Sequence, residues 1–312
     1  MKHNFKITAI LVVMFLITQL IGLVVISGYQ HEDNKLPFGM EPPEEVQQLD
    51  GVGFLVQIMI AFVFAIFLLF ILTKLNAEKF LRLWFFVVTT LAIALTFNIV
   101  LVFSGLNVSP GYLSIIALVF ALPLATFKIF KRDMLIHNLT ELMIYPGIAA
   151  VFVPILGILG IIILLLVISL YDIWAVWKSK FMQNMAKYQI NKLKFFTGFF
   201  VPYAGKKQRL KIKKIKEKYA KKGDKELEKQ FKKAKIKVNL AILGGGDVIF
   251  PIITAGIFLK VMGLIPALII TLSATLGLLG LFTLARKGKF YPAMPFLTIA
   301  MYLGMVVNWL IF

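Results

Sequence analysis

Apolar residues of this chain are grouped in long blocks separated by short polar connections. An α-helix rises 1.5 Å per residue, so about 20 apolar residues cross the ~30 Å hydrocarbon layer of a membrane. Blocks of that length cover residues 7–27, 51–73, 83–103, 111–129, 238–259, 262–285 and 291–312. A longer block, residues 139–177, divides into two near Gly157 and Gly160. The pattern predicts an all-α polytopic membrane protein with nine transmembrane helices.

The composition agrees with this prediction and limits the chemistry. The chain is 60% hydrophobic and 16% charged, which is more apolar than a soluble domain of this length can bury. It contains no cysteine, which excludes disulfides, thiol nucleophiles and cysteine-bound metals. His3, His31 and His137 lie far apart and outside the predicted apolar centres. We therefore expect no histidine-based metal or catalytic site, and no cofactor.

The positive charge is concentrated in one loop. The chain has a net charge of +19, and residues 178–237 hold 21 Lys/Arg against 4 Asp/Glu, a net of +17. Such loops remain in the cytoplasm, and the other basic connections alternate with acidic or neutral ones. This alternation predicts a multi-pass protein of the cell membrane with a cytoplasmic N-terminus and an outside C-terminus. The loop is expected to bind anionic lipid headgroups rather than nucleic acid.

Three parts of the chain follow from this topology. Residues 1–177 carry helices one to six, residues 178–237 form the basic cytoplasmic loop, and residues 238–312 carry helices seven to nine. The loop includes an aromatic stretch, residues 195–203. Two interpretations stay open for that stretch: an aromatic patch at the membrane interface, or a plug or autocleavage segment near an active site.

Two acidic residues fall inside the predicted helices. Asp172 lies in helix six, and Asp247 follows three glycines in helix seven, whereas Glu141 is placed close to a helix start. A carboxylate in hydrocarbon costs at least a few kcal/mol and is usually functional. From the helical rise, Asp172 lies roughly 9 Å and Asp247 roughly 15 Å from the cytoplasmic edge. The two acids are thus expected to face each other.

Such a pair supports two kinds of function. Two adjacent carboxyls in low dielectric share one proton, so one acts as a base toward water while the other polarises a carbonyl. This aspartic-protease chemistry needs no metal, cofactor or nucleophilic side chain. Paired acids also form proton or cation sites in transporters and channels. A non-catalytic scaffold with a lipid-binding loop is a third possibility.

Three short motifs accompany the acids. They are Tyr171-Asp172, Gly244-Gly245-Gly246-Asp247 and Pro292-Ala293-Met294-Pro295, on predicted helices six, seven and nine. In this order they resemble the YD, GxGD and PALP motifs of the GxGD intramembrane aspartyl proteases, the presenilin and signal peptide peptidase family. The chain looks like an archaeal-type presenilin homologue. Met294 departs from the family's leucine, a change between apolar side chains of similar volume.

The resemblance implies an aspartic endopeptidase that cleaves transmembrane helical proteins within their membrane segments. Asp172 and Asp247 would form its catalytic dyad, supported by Tyr171, Gly244 and Gly246. Pro292, Ala293, Met294 and Pro295 would bind substrate beside the dyad. The predicted orientation resembles that of presenilin, so we expect substrates whose C-terminus faces the cytoplasm. Whether the protein forms a homo-oligomer is left open.

Overall fold

The computed structural model describes residues 5–30, 35–40, 51–75, 77–106, 108–131, 133–178, 188, 196–203, 208, 239–285 and 291–312. Within them the chain is almost entirely helical, with one two-stranded antiparallel sheet. The helices are α1 (Phe5–Tyr29), α2 (Gly51–Lys74), α3 (Glu78–Phe103), α4 (Pro110–Phe130), α5 (Met134–Phe152), α6 (Ile158–Ile173), α7 (Gly245–Met262), α8 (Leu264–Leu284) and α9 (Met294–Ile311). A π-helical turn, Trp174–Lys178, extends α6, and a 3₁₀ turn spans Pro37–Gly39. The strands are β1 (Gly198–Tyr203) and β2 (Asn239–Gly244).

Most of these helices have the length and apolarity of membrane spans. Among the described residues, eight meet both conditions, namely every helix from α1 to α9 except α2, with α6 counted together with its π-helical turn as Ile158–Lys178. The predicted second span falls on α2, whose apolar part is Met59–Lys74. The protein is therefore a multi-pass membrane protein. The count of nine spans and the orientation of the termini stay predictions.

Three helices form the centre of the bundle. α1, α5 and α7 each contact the other two, while α8, α9 and α6 follow one another around α7. α3 and α4 pack together on the far side of α5. Small residues allow close approach, as in other membrane bundles. A side chain at Gly147 of α5 would overlap the carbonyl of Ala92 in α3.

The predicted helix boundaries are confirmed at two breaks. The long block divides where α5 ends at Phe152 and α6 begins at Ile158. α7 and α8 are separated by Gly263, whose φ of 93° lies in the region that favours glycine.

The predicted start of helix seven at residue 238 is wrong. Residues Asn239–Gly244 form β2, which pairs with β1 in the register Gly198↔Gly244 to Tyr203↔Asn239. A short apolar run does not distinguish a strand from a helix, and the partner strand lies far away in the sequence. Asp247 consequently lies in the first turn of α7, so the depth of roughly 15 Å, which assumed a continuous helix from residue 237, is also wrong.

The strand also changes the account of the aromatic stretch. Phe199 is fully buried (0% exposed) in the main core cluster. An aromatic patch in contact with headgroups would be exposed, so that interpretation is wrong for Phe199. The plug and autocleavage hypotheses stay untested, and residue 195 lies outside the described residues.

Glu141 does not lie near a helix start. Asp133 caps α5 by accepting hydrogen bonds from the N–H groups of Leu135 and Ile136, so the helix begins at Met134. Glu141 is therefore well inside α5 and only 1% exposed, where it pairs with the buried Lys128 of α4. His137, one turn earlier, is buried as well.

Candidate active site

Asp172 is bound by the start of another helix. Its side chain is 5% exposed, and its Oδ2 accepts a hydrogen bond of 3.0 Å from the N–H of Met294, the first residue of α9. The N–H of Ala293 contacts the same carboxyl. The first N–H groups of a helix have no partner within the helix and carry positive partial charge. The Asp172 carboxyl accepts hydrogen bonds from two of these N–H groups, which explains why the proline-flanked motif lies against Asp172.

Further polar contacts hold α6 against α9. The hydroxyls of Ser169 and Thr298 are 2.7 Å apart, and Tyr302 donates to the carbonyl oxygen of Ile162. Ser169 and Thr298 are both buried. These contacts continue down the helix pair from Asp172 and fix its position relative to α9.

Asp247 lies at the start of its own helix. Gly244 is the N-cap of α7, which makes Asp247 the third helical residue. A carboxylate at this position can reach back to the N–H of the N-cap residue, and Asp247 makes that contact with Gly244. A Cβ at Gly244 would lie 3.0 Å from Asp247 Oδ2. A side chain at position 244 would therefore crowd the carboxylate.

The first turn of α7 is also tied to α1. Gln19, fully buried in α1, donates from Nε2 to the carbonyl oxygen of Val248 at 3.0 Å. Pro251 has no N–H, so the carbonyl of Asp247 receives no helical hydrogen bond from it. Gln19 therefore ties this turn to α1 through the Val248 carbonyl, a contact that could not be predicted from the sequence because Gln19 lies in an otherwise ordinary apolar block.

The two carboxyls meet in one place. α6, α7 and α9 are in mutual contact, and Asp172 and Asp247 are close enough to interact electrostatically. Asp172 is buried, whereas Asp247 is partly exposed. Each carboxyl is also held by backbone N–H groups at a helix start. The arrangement can hold one shared proton and admit a small polar reactant at Asp247.

Tyr145 of α5 is a further residue at this site. It is 4% exposed, and its ring packs edge-on against Phe199 with centroids 5.7 Å apart. A Cβ at Gly245 would lie 2.9 Å from the Tyr145 hydroxyl oxygen. Gly245, the variable position of the motif, is thus a close contact in this protein. No sequence pattern marks Tyr145 as part of the site.

The sheet connects α5 to the same region. β2 leads directly into α7, and β1 lies against α5. The amide of Asn138 donates from Nδ2 to the carbonyl oxygen of Phe200 (3.0 Å) and accepts at Oδ1 from the Phe200 N–H (3.2 Å). His137 Nε2 lies 2.8 Å from the carbonyl oxygen of Gly198. Two consecutive residues of α5 therefore bind the backbone of β1.

The other predicted residues lie nearby with weaker contacts. The Tyr171 ring lies beside that of Trp174, with centroids 6.2 Å apart. A Cβ at Gly246 would meet nothing closer than a Phe250 atom at 3.8 Å. In the proline motif, Ala293 and Met294 contact Asp172 through their backbone.

A helical membrane bundle in which two acids are brought together, each bonded by the N-terminal end of a helix, defines the class of polytopic proteins with an intramembrane carboxyl pair. Comparison with known proteins is more specific. The sequence profile described as "Signal-peptide peptidase, presenilin aspartyl protease" matches residues 12–312. The chain belongs to this family. No curated protein matches it by sequence.

Two solved structures have the same fold. A presenilin family intramembrane aspartate protease, crystallised in space group C222, superposes with a TM-score of 0.59 at 17% identity, covering 98% of this chain and 99% of the other. The P2 crystal form gives a TM-score of 0.58 at 17% identity, with 97% of each chain covered. Family and fold together indicate a presenilin-type intramembrane aspartyl protease, and this family implies transmembrane substrates.

Proposed function

We propose that this protein hydrolyses peptide bonds within transmembrane segments, with Asp172 and Asp247 as its catalytic dyad. The observation that carries the proposal is the convergence of these two carboxyls from α6 and α7, each held by backbone N–H groups at a helix start. Carboxylates in a membrane span are retained where they are used. Membership of the family supports the same reading.

The chemistry follows from a dyad that shares one proton. The ionised carboxyl removes a proton from water, whose oxygen adds to the scissile carbonyl carbon while the protonated carboxyl donates to the carbonyl oxygen. In the resulting gem-diol one hydroxyl gives its proton to the ionised carboxyl as the C–N bond breaks, and the leaving nitrogen takes the proton of the other carboxyl, so the dyad again holds one proton. We assign the dyad's proton to the pair rather than to one residue.

The neighbouring motif residues act by positioning. Gly244 leaves space for the Asp247 carboxyl, and Ala293 and Met294 orient Asp172 through their N–H groups. Tyr171 and Gly246 support the site, and Pro292 and Pro295 shape the substrate-binding segment. Pro295 lies in the first turn of α9, where its missing N–H costs no helical hydrogen bond.

The substrate must unwind before it is cut, because a helix in lipid satisfies its own backbone groups. An unwound segment needs new hydrogen-bond partners, and addition to a sheet edge provides them. β2 ends three residues before Asp247, and Ile242 within it is 40% exposed. We propose that the extended substrate pairs with β2 and so brings its scissile bond to the dyad.

The remaining proposals concern orientation and partners. The alternation of basic connections supports a cytoplasmic N-terminus and substrates whose C-terminus faces the cytoplasm. We retain the cell membrane as the location and anionic lipid headgroups as partners of the basic loop, most of which lies outside the described residues. A homo-oligomer stays open.

A cleavage assay tests the proposal. The purified protein is incubated in detergent with a single-pass helical substrate, and the products are identified by mass spectrometry. We expect cleavage inside the hydrophobic segment, and none with Asp247→Asn. If the wild type leaves the substrate intact, but carries protons or cations across proteoliposomes in a manner abolished by Asp247→Asn, the protein is a transporter or channel instead.

A further inference from the structure

The outward edge of β1, the edge that faces away from β2, is already occupied. In an antiparallel pair, residues alternate between those whose N–H and C=O point toward the partner strand and those whose groups point away. Phe200 bonds through both groups to Asn138, and Gly198 bonds through its carbonyl to His137. These residues are two apart, so they face outward together. Pro202, the next in this series, has no N–H.

The opposite edge differs. The register pairs Phe200 with Ile242 and Gly198 with Gly244, so the backbone groups of Ile242 and Gly244 point away from β1. The Gly244 N–H is taken by the Asp247 carboxyl, which leaves Ile242 as the outward residue nearest the dyad. Its side chain is 40% exposed. No hydrogen bond to the Ile242 backbone from a side chain is found among the described residues. Of the two edges, that of β2 is therefore the one offered to an added strand.

A buried charge cluster holds the residues that close β1. Because a carbonyl oxygen only accepts, His137 Nε2 carries the hydrogen that it donates to Gly198. His137 Nδ1 then faces Lys128 Nζ at 3.5 Å, and Lys128 forms an ion pair with Glu141. All three residues are at most 5% exposed. The cluster links α4, α5 and β1, and it fixes the part of α5 that carries Asn138.

We infer that Asn138 is a positioning residue that acts as a substitute strand. Its amide offers Phe200 one donor and one acceptor, as a neighbouring strand would, and so prevents an extended peptide from joining the sheet at β1. The peptide is directed to β2, beside Asp247. This inference rests on the proposed function, because it concerns where the substrate pairs.

The first test measures the strand itself, without substrate. Hydrogen exchange is followed by mass spectrometry on peptides that cover residues 198–203, with the protein in lipid nanodiscs. Asn138→Ala is expected to speed exchange at this strand about tenfold, because the Phe200 N–H loses its acceptor. Asn138→Asp keeps an acceptor for that N–H but places a second oxygen against the Phe200 carbonyl oxygen in place of the Nδ2 donor, so it should also speed exchange, by less than Asn138→Ala. The matched control is Asn98→Ala, which removes a buried asparagine that bonds to Ser114 in the α3–α4 pair.

The second test locates the substrate. The chain has no cysteine, so an introduced cysteine is the only one in the protein. Ile242→Cys places it in β2, and Val201→Cys places it in β1. Each variant is mixed with a substrate that has one cysteine near its cleavage site, and oxidation then forms a disulfide between the two. We expect cross-links to position 242 alone when Asn138 is present. With Asn138→Ala, cross-links to position 201 should appear, the cleavage sites should spread, and kcat should fall more than KM rises.

The outcomes separate the two proposals. If the wild type cleaves and Asn138→Ala changes neither exchange, cross-linking nor cleavage sites, the role of Asn138 is wrong and the hydrolase stands. If the wild type does not cleave, the proposed function fails, while the exchange result still shows whether Asn138 closes the strand. Asn138→Asp retains the side-chain volume, so it provides the comparison if Asn138→Ala does not fold.

Discussion

At the scale of single residues, the glycine before an active carboxyl has a specific physical reason. Gly244 adopts φ −65° and ψ 149°, which any residue can adopt, so backbone freedom does not require glycine here. Glycine is favoured instead by the Asp247 carboxyl, which folds back to the N-terminal end of its own helix and leaves little room for a Cβ. The first glycine of the motif therefore serves to leave space for the Asp247 carboxyl.

Gly244→Ala tests this explanation. The added Cβ would lie 3.0 Å from Asp247 Oδ2 and push the carboxyl from its place. The carboxyl must move by only a few tenths of an ångström, so we expect kcat/KM to fall by up to about tenfold, less than the roughly 100-fold that a displacement of about 1 Å at a reacting group can cost. The control is Gly280→Ala in α8, where a Cβ would meet nothing within 4 Å. Equal activity of the two variants would contradict the explanation.

The site residues could be predicted only where they break a pattern. Asp172 and Asp247 are visible in the sequence because a carboxyl within an apolar block is expensive, and the prolines mark the start of α9. Tyr145 and Gln19 carry no such signal, since single polar or aromatic residues are common in apolar helices. Their roles depend on which helices are neighbours, and this depends on packing over the whole bundle.

At the scale of elements, the buried ion pair between α4 and α5 should be costly to break by removing one partner only. Glu141→Gln leaves the Lys128 ammonium buried without its counter-charge, so we expect a loss of about 3–5 kcal/mol in the free energy of unfolding. Replacing both partners, as in Lys128→Met with Glu141→Leu, should recover most of this loss because no charge stays buried. Chemical denaturation in detergent measures both variants. A double variant as unstable as Glu141→Gln would show that the charges do not act as a pair.

The elements themselves were predictable to different degrees. Helices of membrane length follow from the length of apolar blocks, and the break at Gly157 follows from a block too long for one crossing. The strands do not, because residues Asn239–Gly244 are as apolar as a helix and their pairing with β1 is non-local. Glu141 was misplaced because the cap at Asp133 moves the start of α5 toward the N-terminus.

At the scale of the whole molecule, the predicted orientation can be measured directly. Single cysteines are placed at Ser109→Cys, between α3 and α4, and at Lys131→Cys, between α4 and α5; both sites are exposed. A membrane-impermeant maleimide added to intact cells should label position 109 and leave position 131 unlabelled until the cells are opened. The cysteine-free wild type is the background control. Labelling of position 131 alone would reverse the topology.

The central claim is that Asp172 and Asp247 act as one catalytic unit. The most direct measurement is the single-turnover cleavage rate of the wild type, Asp172→Asn, Asp247→Asn and the double variant on one transmembrane substrate, with folding checked by circular dichroism. Residues that act as a unit are strongly non-additive. We predict that each single variant is as inactive as the double variant. Substantial cleavage by either single variant, or losses that add in the double variant, would contradict the account.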